Sequence, residues 1–311
     1  MVTGARSEIE MWIKKARIKK IFVFMFFSLA VFIHGQPVAY LSESPIANEM
    51  VRITGGTFIM GSPENEWGRS MNEGPQRQVT VSSFYIGRFP VTQAEFQEIM
   101  GRNPSTFRGS NLPVEQVSWF DAIEFSNRRS IRAGLTPVYT INGNNVTWNR
   151  EANGYRLPTE AEWEFACRAG TQTPFNTGAS ANDAGWHSGN SGGRTQPVGM
   201  KQPNAWGLYD MHGNVLEGCW DWYGAFSTEA QVNPQGPSWG VGRVYRGGSW
   251  RFAAHQTRSA FRFRNNPNLR INFVGFRLAR NVEEHSHAAS PDALNDETVE
   301  AAESGSQNWQ G

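Results

Sequence analysis

Between Trp250 and Phe273 two kinds of side chain interleave: Phe252, Phe261, Phe263, Leu269, Ile271 and Phe273 stand among Arg251, Arg258, Arg262, Arg264 and Arg270. Large rigid apolar groups beside bidentate guanidinium donors are the chemistry of a binding hot spot. The stretch follows neither a period of two nor one of 3.6, so a loop or irregular strand is expected to carry it. The other home for these phenylalanines is the core, although a core would show periodicity and fewer arginines. Stacking on a nucleic-acid strand is a poor third reading.

Elsewhere reactive chemistry is sparse. Cys167 and Cys219 cannot make a disulfide framework or a four-thiolate zinc site, and a single bridge between them has no support. Cys167 follows Ala166 in an apolar segment and reads as a small core residue. His34, His187, His212, His255, His285 and His287 are scattered without metal-like helical spacing, and no HExxH, P-loop, GxSxG or CxxC occurs.

The elements that must position residues 250–273 are short. Val51 to Met60 reads as a strand broken at Gly55 and Gly56, and Val79 to Ile86 as one alternating strand with Val79, Val81 and Phe84 inward. Thr92 caps a helix reaching Met100, with Glu95 as capping-box partner. Ser118 caps a helix from Phe120 to Ala133. Thr140–Trp148 is a hairpin on Asn142-Gly143, and Thr159 with Glu162 opens a helix from Glu160 to Arg168. Past residue 170 no long periodic segment follows. Two or three helices, scattered strands and a large irregular region indicate an α+β class.

Composition agrees with that reading. Only 18% of the 311 residues are charged, 13% are aromatic, and there are 32 glycines and 12 tryptophans. A coiled coil and a disordered chain are excluded, and a net charge of +1 argues against a generic nucleic-acid binder. That total hides an asymmetry. Residues 1–20 hold six Lys or Arg against two acids, and residues 281–311 hold seven acids with no Lys or Arg.

A basic start followed by the 13-residue apolar run Ile21 to Ile33 matches a secretory signal and is too short for a bilayer span. A buried helix or an anchor is the alternative. Expected boundaries are a signal segment at 1–35, a linker at 36–48, a folded domain at 49–280 and an acidic disordered tail at 281–311.

The ordered series GGTFIMGS (55–62), FYIGRFPVTQAEF (84–96), PVEQVSWFDAIEFSN (113–127), RLPTEAEWEFACRAG (156–170), GLYDMHGNVLE (207–217), WDWY (220–223), RVYRGGSW (243–250) and VGFRLAR (274–280) resembles the formylglycine-generating-enzyme (sulfatase-modifying factor) domain family. The resemblance implies a loop-rich C-type-lectin-type fold. Within it Trp163 and Phe165 pack a helix, Gly247 and Gly248 allow close backbone contact, and Arg156 and Arg277 pair with buried acids such as Glu164 or Glu217.

Enzymes of the family carry a copper-binding cysteine pair after the GGS motif. Here the matching residues run from Trp250 to Arg258 without a cysteine, and none follows Cys219. Copper and catalysis are therefore not expected. The family's calcium motif maps onto Asp210, Gly213, Val215 and Glu217, two carboxylates and two backbone carbonyls that suit a hard cation. Alternatively these acids cap turns or pair with arginines.

Ordinary members are asparagine-rich where this chain is rich in Phe and Arg. Arg258-Ser259-Ala260, Arg262, Pro267, Arg270 and Val274-Gly275-Phe276-Arg277 keep the family scaffold, and the residues between depart from it. This resembles the variable region of a spirochaetal diversity-generating-retroelement protein, in which adenines of asparagine codons are randomised. Randomising the first two bases of AAC or AAT cannot give Lys, Glu, Gln, Met or Trp. Within 251–273 only Gln256 lies outside the reachable set. The expected variable positions are Arg251, Phe252, Ala253, His255, Thr257, Phe261, Phe263, Arg264, Leu269, Ile271 and Phe273.

The expectation is an exported, non-enzymatic display protein whose variable region about 250–273 binds a protein or glycan ligand on a host or neighbouring cell. No nucleic acid is expected as partner, membrane contact is confined to the N-terminal segment, and the chain acts as a monomer. A fixed-sequence binding or regulatory module of the same family is the alternative, and a copper-dependent oxidase a distant third.

Overall fold

The computed structural model describes residues 31–33, 36–38, 48–178 and 180–282. Most of the expected signal segment and all but the first residues of the expected acidic tail lie outside the described residues. The chain divides into two compact units, Met1–Pro45 and Ile46–Gly311. In the first, β1 (Val31–Ile33) pairs antiparallel with β2 (Gln36–Val38). Among the described residues no helix is long and apolar enough to cross a membrane.

The second unit is α+β and rich in loops. One antiparallel sheet runs β3 (Met50–Ile53), β6 (Phe84–Gly87), β17 (Ala279–Asn281), β9 (Tyr155–Arg156), so the two ends of the unit meet in it. A second joins β4 (Gly56–Met60) to β5 (Arg77–Val81) and, in parallel, β13 (Gln231–Val232). A third, in order β15 (Arg262–Asn265), β14 (Arg243–Arg246), β12 (Leu216–Trp222), β16 (Val274–Gly275), carries the middle of the arginine- and phenylalanine-rich stretch on its edge strand β15. Two short pairs complete the strands, the hairpin β7 (Tyr139–Asn142) with β8 (Asn145–Trp148) and parallel β10 (Gly185–Trp186) with β11 (His212–Gly213).

The single strand expected over Val79–Ile86 is two strands in two sheets. Ser82 and Ser83 divide it because side chains elsewhere capture the backbone: Ser82 N–H donates to Asn233 Oδ1 at 2.8 Å, and Ser83 Oγ accepts Gly55 N–H at 3.0 Å. The hairpin forms where expected, but its two loop residues are Gly143 and Asn144, since Asn142 pairs with Asn145. Only Gly143 takes a positive φ, as a type II′ turn requires.

The caps follow the sequence closely. Helix α1 (Gln93–Met100) begins with Thr92 accepting Glu95 N–H at 3.2 Å, yet the reciprocal half of the box is missing. The Glu95 carboxylate turns instead to Asn48 and Arg129. Helices α2 (Trp119–Arg132) and α3 (Glu160–Arg168) have complete boxes, Ser118 with Asp121 and Thr159 with Glu162. The last helix, α4 (Ala181–Ala184), is one turn.

Two hydrophobic clusters hold the unit together. One gathers Met60, Val79, Ile86 and Val244 around Trp163 and Phe165 of α3. The other packs Phe96 of α1 and Phe125 of α2 against Phe276. Charge is buried with them. Glu164 and Arg246 are fully buried and paired; Glu164 also accepts from Arg168 and from Gly61 N–H at 2.8 Å. Arg246 donates further to the carbonyls of Ser259, Ala260 and Phe261. The pairings differ in part from those expected: Arg277 does meet Glu217, but Arg156 takes Glu162. Gly247 and Gly248 sit at φ +86 and +70, where a Cβ on Gly248 would lie 2.3 Å from the Gln256 carbonyl.

Breaking a buried pair leaves a guanidinium without its counter-charge. Glu164→Gln is expected to destabilise by ~3–5 kcal/mol, whereas Glu124→Gln, whose partner Arg128 is exposed, should change stability by under ~1 kcal/mol. Urea unfolding of both variants checks the contrast.

Candidate binding face

The stretch after Trp250 is fixed by four ion-paired arginines. Arg258 is fully buried and donates to Glu73 at 2.6 and 2.8 Å and to Glu66. Arg262 forms a two-armed pair with Glu160 at 2.5 and 2.7 Å. Arg270 grips Asp121 at 2.8 and 3.0 Å. Arg277 meets both oxygens of Glu217 at 2.6 and 2.7 Å. Burial alone would raise the Asp121 carboxyl, but Arg270 and the Ser118 N–H hold it below the usual range. These are the positions that keep the family scaffold in sequence; for the buried guanidiniums of Arg258, Arg262 and Arg277 the cost of burial is met by bidentate geometry.

The residues between the anchors divide into groups. Phe252, Phe263, Ile271 and Phe273 are half-buried and pack together on a small base of Leu216, Tyr245 and Val274. Phe252 is the hub, with Phe263 at 5.5 Å and Phe273 at 5.6 Å between ring centroids. Exposed Arg251 lies over the Phe273 ring. Ala253 and His255 sit half-exposed on the adjoining turn.

Four of the expected positions lie outside this cluster. Thr257 is fully buried; its hydroxyl donates to the Ala254 carbonyl and its own carbonyl receives His212 Nδ1–H. Phe261 is 7% exposed and serves as core beneath Phe252. Arg264 is exposed, but strand alternation turns it to the opposite side of β15 from Phe263, towards Tyr223. Leu269, 42% exposed, lies in a turn outside the phenylalanine cluster. Local sequence could not separate Phe261 from Phe263, because the stretch has no period to read.

The sequence reading also missed part of this face. Trp67, 66% exposed, packs edge-on against His255 at 5.5 Å, and Phe107 does the same against Trp250 with Arg194 over its outer face. All three come from loops far away in sequence. A tryptophan among glycine and glutamate was the only hint.

The residues matched to calcium do not fit that ion as arranged. Both Glu217 oxygens accept from Arg277, and Oε2 also from Trp163 Nε1 at 2.7 Å. A second cation there would face the guanidinium. Asp210 accepts from Gly199 N–H at 2.8 Å and Asn214 Nδ2 at 3.3 Å, and burial pushes its carboxyl up to about 6. Gly213 and Val215 are buried beside them. No group of three His, Cys, Asp or Glu that could hold a metal occurs among the described residues.

Cys167 and Cys219 are buried free thiols. Cys167 lies 3.8 Å from His212 Nε2. That resembles a nucleophile–base pair, but burial drives the thiol up to about 12 and the imidazole down to about 4, so neither is primed to react.

Comparison with known proteins agrees with this geometry. The profile of the Sulfatase-modifying factor enzyme 1-like domain matches residues 38–282. The solved structure of Treponema denticola variable protein 1 superposes with a TM-score of 0.71 at 34% identity, covering 78% of this chain and 98% of that one. The Chaperone protein LppX of Paenibacillus barcinonensis is 35% identical over 67% of this chain and 80% of its own length. The formylglycine-generating enzyme of Thermomonospora curvata is 31% identical, over 76% and 95%. Three further relatives are longer proteins of which the chain covers about two fifths. The fold of these neighbours is C-type-lectin-like, and the relatives include enzymes as well as a variable protein.

Two outcomes are expected. Phe261→Ala should cost ~3–5 kcal/mol, and Phe263→Ala only about 1–2 kcal/mol because it is partly exposed; chemical denaturation of each variant reads the difference. Calcium or a chelator should leave the melting temperature unchanged, since no free oxygen cage is presented. A calcium-dependent rise would mean that Glu217 exchanges Arg277 for the ion.

Proposed function

The chain belongs to the Sulfatase-modifying factor enzyme 1-like domain family, and on that premise we propose that it is an exported, non-enzymatic display protein. It binds a protein or glycan on another cell through the face built from Arg251, Phe252, His255, Phe263, Ile271 and Phe273. The observation that carries this reading is the division of labour in residues 250–277. The scaffold arginines pair with acids within the fold, and the residues between them supply a partly exposed aromatic cluster over Leu216, Tyr245 and Val274.

Other features support it. The copper-binding cysteine pair of the family's enzymes has no counterpart after Cys219. Gln256, the one residue of the stretch unreachable from a randomised asparagine codon, has a structural role, because its Oε1 accepts the Ala253 N–H at 3.1 Å and closes the turn. A position with that role is one a diversification system would leave fixed.

The DNA flanking the gene should contain a near-copy of codons 251–273 that differs at adenines, beside a reverse-transcriptase gene. Absence of such a copy would remove diversification and leave a fixed-sequence binding module. Binding itself is read on arrays of glycans and cell-surface proteins, comparing the native chain with Phe252→Asn, Phe263→Asn and Phe273→Asn combined. Loss of capture by a variant that still unfolds cooperatively is expected; unchanged capture would clear the phenylalanines of the role. Copper and a cysteine-containing peptide should yield no formylglycine.

A further inference from the structure

On the side of β15 away from Phe263, Arg262 enters the wall of a partly open cavity of about 260 Å³, lined in part by the glycine- and proline-rich segment 224–237. Its polar lining consists mainly of two acids and two arginines: Glu160, Asp221, Arg77 and Arg262. Glu160 and Arg262 neutralise one another. The other two do not meet. Arg77 is 7% exposed and forms no ion pair among the described residues; Nη2 reaches only the Met60 sulfur, at 3.6 Å, and Nε and Nη1 have no hydrogen-bond partner. Asp221 is 3% exposed and likewise makes no ion pair among the described residues; its Oδ2 accepts the Glu160 N–H at 2.8 Å.

A guanidinium and a carboxyl buried in one cavity without touching are costly unless something bridges them. The Phe226 ring, 3.7 Å from the Arg77 guanidinium carbon and 3.9 Å from that of Arg262, eases the charge through its π-face but offers no acceptor to the N–H groups. The cavity as a whole has room for roughly nine waters at ~30 Å³ each, the size of a small organic molecule with about as many heavy atoms. Phe226, Trp222 and Met60 give it an apolar wall.

We propose that this cavity binds a free α-amino acid, its carboxylate on Arg77 and its ammonium on Asp221. A zwitterion offers an acceptor to the unpartnered Arg77 N–H groups and a donor to Asp221, and adds no net charge to the cavity. Burial raises the Asp221 carboxyl to about 8 and lowers the Arg77 guanidinium, the strain that paired ligand charges relieve. The site lies on the other side of the sheet from the aromatic face and does not depend on that face binding anything.

The test is a thermal-shift and calorimetric screen of the full chain with each common α-amino acid. For those that bind, the carboxamide and N-acetyl derivatives, which each lack one charge, are compared. At least one amino acid should raise the melting temperature while both derivatives fail. Arg77→Gln and Asp221→Asn should each weaken its binding roughly thirtyfold or more, with Phe252→Asn and Phe263→Asn leaving it unchanged. If no amino acid binds the native chain, or if the derivatives bind as well, the cavity is a hydrated structural pocket and the proposal falls. The derivative comparison needs no variant, so a folding defect in Arg77→Gln leaves the test intact.

Discussion

A charge removed from water must be answered inside the protein, and the Glu164–Arg246 pair shows how far that requirement organises this fold. Neither side chain is exposed, and together they tie β4, α3, β14 and the segment 259–261 into one polar knot. The same logic repeats outward, with Arg258 on Glu73, Arg262 on Glu160, Arg270 on Asp121 and Arg277 on Glu217. Each pair joins the last quarter of the described chain to an element formed much earlier. A stretch whose one regular ladder is the four-residue β15 is thereby pinned at intervals, and the partly exposed side chains between the pins carry less of the fold.

That division explains why aromatic residues have two roles. Trp119, Trp163 and Phe276 are fully enclosed, and Arg243 lies over Trp119 at 3.8 Å and Trp222 at 3.6 Å. Changing any of them would open a cavity or strand a charge. Phe252, Phe263 and Phe273 rest on Leu216, Tyr245 and Val274, with Phe261 against Phe252, and stay partly exposed. Their identity is less constrained by packing, so such positions are free to serve recognition. The two thiols of the chain, Cys167 and Cys219, are enclosed, and burial keeps both protonated.

Strand β15 separates two environments by alternation alone. Arg262 and Arg264 face one side, towards Tyr223 and the polar cavity, while Phe263 faces the aromatic cluster. A one-residue slip in register would exchange them, placing a guanidinium in the apolar cluster and a phenylalanine beside Glu160. The Arg246↔Arg262 and Tyr245↔Phe263 pairing and the Arg262–Glu160 pair hold that register.

The sequence by itself determined the α+β class, the family, the caps at Thr92, Ser118 and Thr159, and which arginines belong to the scaffold. These depend on neighbours within a few residues or on motifs whose order survives in the linear chain. Tertiary structure alone decided that Thr257 and Phe261 are interior, that Arg264 faces away from Phe263, that Trp67 joins His255, and that Arg156 takes Glu162. The reason is physical: in a stretch without a helical or strand period, burial is set by which distant loop covers a side chain, and that information is distributed over the whole fold.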